Sequence, residues 1–182
     1  MPKDLIAKYI KLAPLTDLSF PADYGGWKGK INVFRNNRAV TRMYKIAKSI
    51  ESDHPELKDE FARLMDRHEF GISVSVASDI LDSTHYGAEA QRRALTIIEA
   101  VACDEASVSS VGTTMRLIDW YEKHPEITPN ETVLRKNAIN TKAGELMMEK
   151  RAANYMASAS YEGFLDLYEE CEKEAEAIID GL

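Results

Sequence analysis

Four histidines and thirty acidic residues supply most of the side chains from which chemistry could be built in this chain. Glu51 and His54 are spaced as ExxH, Asp82 and His85 as DxxH, and Asp66 and His68 stand two apart. On a helix, a spacing of three brings two ligands to one face, and a ferritin-like di-iron site needs two Glu-x-x-His pairs plus two further glutamates pointing into a bundle. A single Glu-x-x-His pair occurs here, at a helix end beside Pro55. His54, His68, His85 and His124 all fall at helix junctions, where an imidazole caps a terminal carbonyl or faces water. The pattern therefore predicts no metal and no cofactor. The competing expectation is an α-helical metal-dependent enzyme built on Asp66, His68, Asp82 and His85.

Nucleophilic chemistry finds less support. The sequence has no GxSxG elbow, no SxxK and no cysteine in a glycine-bounded turn. Cys103 and Cys171 lie in separate helical patterns without a CxxC, which fits a reducing cytoplasm. The run Tyr24-Gly25-Gly26-Trp27-Lys28-Gly29 has no preceding strand and no GxxxxGK[ST] spacing, so it is no phosphate cradle. Catalysis is not implied.

The elements that would position these residues are helices. At 182 residues, with 45% hydrophobic and 29% charged residues, the chain is expected to fold alone as one domain over 1–182. It lacks a signal-peptide start, and no apolar run reaches the ~20 residues of a membrane span. A short helix over Asp4–Leu12 precedes a loop from Ala13 to Lys30, and together with the helix that follows they make an N-terminal part over 1–53. That helix, Ile31–Glu51, carries Val33, Phe34, Asn37, Val40, Tyr44, Ala47 and Ile50 at helical spacing. Arg35, Arg38, Arg42, Lys45 and Lys48 on its other positions are expected to form a solvated face.

Residues 54–122 form the centre. Two helical hairpins superpose when shifted by about 37 residues, a period of the HEAT and armadillo kind. Leu57, Phe61 and Leu64 fall on Ala94, Ile98 and Val101, and Ile80, Leu81 and Asp82 on Leu117, Ile118 and Asp119. Ile72, Val74 and Val76 alternate with serines as a strand would, yet Val76, Ala77, Ile80 and Leu81 keep helical spacing, which predicts a helix. Residues 128–182 complete the chain as a C-terminal helical hairpin. Thr128 is its expected N-cap, with stripes Leu134, Ala138, Thr141, Met148 and Tyr161, Leu165, Tyr168, Cys171, Ala175, and a turn near Ala157–Ser160. The fold class expected is all-α, with HEAT/armadillo-like stacked helical hairpins closed by that C-terminal hairpin. The hairpin could also join two copies.

What remains for function is a surface. A net charge of −7 argues against a non-specific grip on nucleic acid and favours a basic protein partner. Second helices of such repeats often line a concave face. Here they carry Asp79 and Asp82, then Arg116, Asp119, Trp120, Tyr121 and Glu122, a pairing of acids with aromatic anchors that suits a basic surface. Tyr24 and Trp27 are further candidate anchors.

The stretch from Asp23 to Tyr121 resembles a small bacterial family of HEAT-like proteins. The residues that carry the likeness are Tyr24-Gly25, Asn36-Asn37, His54-Pro55-Glu56-Leu57, Leu64-Met65-Asp66, Val74 to Leu81, Ala94-Leu95, Ile97-Ile98-Glu99 and Thr114-Met115-Arg116-Leu117 through Trp120. Phe70 to Ser75 departs from the charged turn of that pattern. The resemblance implies a cytoplasmic immunity protein that neutralises a cognate toxin domain by binding it.

Overall fold

The computed structural model describes residues 3–16, 27–104, 110–153 and 161–181, and every regular element among them is helical. None of the described helices is long and apolar enough to cross a membrane. The chain divides into two compact units, Met1–Ile98 and Glu99–Leu182.

The first unit holds α1 (Lys3–Leu12), α2 (Trp27–Ser52), α3 (Lys58–Arg63), α4 (Ile72–Leu81) and most of α5 (Ala88–Cys103). α1 buries Ile6 and Tyr9, with Ala13 following in a 3-10 turn, a spacing of three and four that keeps one side inward. It packs on α2. Two expectations for α2 need correction. It begins at Trp27 rather than Ile31, because Gly29 costs only ~1 kcal/mol within a helix that packing can sustain. Its inward stripe is Asn36, Ala39, Met43, Ala47 and Ile50, whereas Phe34, Val40 and Tyr44 face out, Phe34 being 67% exposed. The small side chains of Ala39 and Ala47 let a neighbouring helix approach closely, which a count of large apolar residues overlooks. Asn36 donates its amide to the Thr16 carbonyl at 3.0 Å and so ties the turn after α1 to α2.

The first segment of the central part is a 3-10 turn at Pro55–Leu57, α3, and another 3-10 turn at Leu64–Asp66, and Leu57, Phe61, Leu64 and Met65 face inward. α4 settles the helix-or-strand question in favour of helix. Gly71, in the left-handed region at φ 65°, turns the chain into it, and Ile72, Val76, Ala77 and Ile80 are buried.

The second unit holds α6 (Ser110–Lys123), α7 (Glu131–Ala153) and α8 (Tyr161–Ile179). Arg135 bonds Glu176 and Asp180 while Lys150 bonds Glu170 and Glu174, so α7 and α8 run antiparallel. Their core is Ile139, Ala143, Leu146, Met147, Cys171 and Ala175. The expected α7 stripe is displaced, since Leu134, Thr141 and Met148 lie on the exposed side. α7 carries apolar residues on two faces, and heptad spacing alone selects the wrong one. Its N-cap is Asn130, whose Oδ1 accepts the Thr132 N–H at 3.0 Å, in place of Thr128. The turn expected at Ala157–Ser160 lies outside the described residues.

The register of about 37 residues is visible in burial. Phe61 and Ile98, and Ile80 and Leu117, are buried at matching positions, while Asp82 and Asp119 are both exposed. The helices themselves differ, α3 having 6 residues and α5 16. A second likeness lies in the His-Pro-Glu turns after α2 and α6. His54 and His124 place Nδ1 at 3.3 and 3.2 Å from Glu56 and Glu126, and their carbonyls accept the N–H of Leu57 and Ile127.

Candidate functional site

The acids expected on α4 have different fates. Asp79 is half-buried and accepts a hydrogen bond from the Tyr9 hydroxyl at 2.8 Å, which makes it a strut between α1 and α4. Burial and this carboxylate together push the Tyr9 phenol above its ordinary range. Asp82 is exposed at the C-terminus of α4. Beside it, the Ser83 hydroxyl donates to Glu51 at 2.6 Å, Lys48 donates to the other oxygen at 2.7 Å, and His85 stands 3.7 Å away. Burial alone would raise the Glu51 carboxyl, and the bonds from Lys48 and Ser83 outweigh it, leaving it below its usual value. This Ser-Glu-His grouping staples α2 to the chain after α4. Ser83, at 3% exposure and with its oxygen also accepting the His85 backbone N–H, is placed as a structural linker. Asp66 is occupied by Arg93 at 2.6 Å, and His68 is exposed. Among the described residues no three His, Cys, Asp or Glu side chains converge as metal ligands.

The acids expected on α6 sit differently. Asp119 and Glu122 are exposed and form no side-chain ion pair or hydrogen bond among the described residues, and Arg116 is exposed beside them. Met115, 59% exposed, lies on the same line of the helix at spacings of four and three. Trp120 is half-buried and stacks on the His124 ring at 4.2 Å, so it is braced rather than projecting. Tyr121 is buried and donates to Glu99 while accepting the Asn130 N–H, an internal role in place of the anchor expected. Burial, then the Glu99 bond, raises its phenol above the ordinary value. Tyr24 lies outside the described residues. Trp27 opens α2, and its side chain also lies outside them.

Next to Met115 the structure adds what the sequence did not indicate. α6 and α7 enclose an open groove of about 530 Å³, lined by Val111, Met115, Met148 and the stretch around Asn140 and Glu145. Met148 is 69% exposed. Both amide atoms of Asn140 are buried without a hydrogen-bond partner. A buried unmet amide costs roughly 1–3 kcal/mol in the free protein. Two exposed methionines supply flexible, polarisable apolar contact. The signal available in sequence was Met115 and Met148 at surface positions, visible only once the helix faces are known. No protein-family model, curated protein or solved structure matches this chain.

Proposed function

We propose that the chain is a non-catalytic protein-binding module with HEAT-like stacking of its hairpins, and that its α6–α7 face seats a basic domain of a partner protein. The observation that carries this is the groove around Met115 and Met148, continued along α6 by the exposed Asp119 and Glu122, which form no side-chain ion pair among the described residues. The methionines offer apolar area, while the acids steer a cationic surface and set its register. Matching burial at the register of about 37 residues supports the HEAT-like part. The partner class fits the immunity role implied by the resemblance, in which a toxin domain is held and blocked in the cytoplasm.

The test is capture of the tagged full chain from its own cells, read by mass spectrometry. One near-equimolar partner, harmful when expressed alone and harmless when co-expressed, supports the immunity role. Absence of any stoichiometric partner overturns the binding role. A second possibility rests on the exposed Leu165, Ile178 and Ile179 of α8, which favour association of two copies through the C-terminal hairpin. Sedimentation of the full chain as a dimer that Ile178→Lys makes monomeric would support it.

A further inference from the structure

Positive charge is concentrated at one end of this acidic chain. Residues 1–50 contain ten Lys and Arg against three Asp and no Glu, a net charge of +7 within a chain of −7. On the structure four of these ten cations border a cavity. α1 and α2 enclose a groove of about 600 Å³ whose floor is Leu12, Leu15 and Ile46. Its rims are Lys8 and Lys11 from α1 and Arg42 and Lys45 from α2. All four cations are exposed, and none makes an ion pair or hydrogen bond among the described residues. Their methylene stems extend the apolar floor while their charged ends stand at its edge.

Among the described residues the lining is three apolar residues and four cations. These described residues supply donors and no side-chain acceptor, so they favour a ligand whose polar atoms are acceptors, an anion above all. The rest of the ligand must be apolar to cover the floor. A floor of three side chains between two rims of cations suits one unbranched alkyl chain. Nucleic acid would use the cations and leave the apolar floor uncovered.

We infer that the α1–α2 groove binds a single-chain anionic amphiphile, a free fatty-acid-like molecule whose alkyl chain lies on Leu12, Leu15 and Ile46. Lys8, Lys11, Arg42 and Lys45 hold its head group. This site is on the first unit and stands independently of the partner face on α6 and α7.

The test is calorimetric titration of the full chain with dodecanoate below its micelle-forming concentration. Saturable one-to-one binding is expected, weakened by salt. Dodecyltrimethylammonium, which has the same chain and the opposite charge, should bind roughly tenfold less tightly or worse. Lys11→Glu with Arg42→Glu should lose a similar factor, and Leu15→Trp, which fills the floor and keeps every charge, should lose binding too. Lys123→Glu on α6 should leave it unchanged, and thermal melts identify any variant that fails to fold. Equal binding of the cationic detergent, or undiminished binding by the folded variants, would overturn the site. So would binding confined to anionic vesicles, which would make this a membrane-facing patch. Binding of a synthetic acidic peptide spanning 161–179 without binding of dodecanoate would make it a protein dock and would equally overturn it.

Discussion

The Tyr9 hydroxyl donates to the Asp79 carboxylate at 2.8 Å across 70 residues of chain, and this bond closes the first unit by tying α1 to α4. Tyr9 is fully buried, and its ring meets Phe61 edge-on at 5.0 Å. Tyr86 packs against the same Phe61, but its hydroxyl is buried without a partner. The two tyrosines should therefore respond oppositely to loss of the hydroxyl. Tyr9→Phe leaves a half-buried carboxylate short of a donor and should cost about 1–3 kcal/mol in urea unfolding. Tyr86→Phe removes an unmet group and should be neutral or slightly stabilising.

Stability should fall at both ends of the pH range through Lys48 and Glu51. The folded-state Glu51 carboxyl lies below its ordinary 4.5, so its contribution is present above that pH and is lost as the pH falls below it. Lys48 is held above its ordinary 10.5 by its bond to Glu51, so its contribution is present below that pH and is lost as the pH rises past it. Ser83→Ala removes one of the bonds that lower Glu51 and should flatten the acid limb of a plot of unfolding midpoint against pH. A limb unchanged by the substitution would remove Ser83 from this linkage.

Gly71 opens α4 at φ 65°, with open space where a side chain would project. The penalty for replacing it is thus one of backbone conformation alone. Gly71→Ala should cost about 1–2 kcal/mol by denaturant unfolding, with no change in the helical circular-dichroism signal.

Asn140 should tolerate an apolar replacement. Asn140→Leu keeps the side chain's shape and removes two unmet polar atoms, so the free protein should gain about 1 kcal/mol or remain neutral. A destabilised variant would show instead that Asn140 is satisfied internally.

Much of the fold was legible in the sequence. The helical class and the inward positions Phe61, Ile80, Ile98 and Leu117 follow from spacing, because a buried stripe leaves a 3.6-residue period. The faces of α2 and α7 did not follow. Both helices hold apolar residues on more than one side, and the inner side of α2 is marked by small alanines that hydropathy underweights. Of the expected partner face, Asp82, Arg116, Asp119 and Glu122 lie at the surface, while Asp79 and Tyr121 serve as internal bonds. A carboxylate's role depends on what lies across from it, as Tyr9 does from Asp79, and spacing along one helix does not contain that. The two grooves were illegible for the same reason, since each is made by side chains on two helices.

The most direct measurement is the affinity between the purified chain and its captured partner, compared with the Asp119→Lys/Glu122→Lys variant over a range of salt. If the α6–α7 face seats a basic domain, the wild-type affinity should fall steadily with salt. The variant should bind at least ~10-fold more weakly at low salt, with an unchanged thermal melt. An affinity unaffected by both salt and the double charge reversal would contradict the proposal.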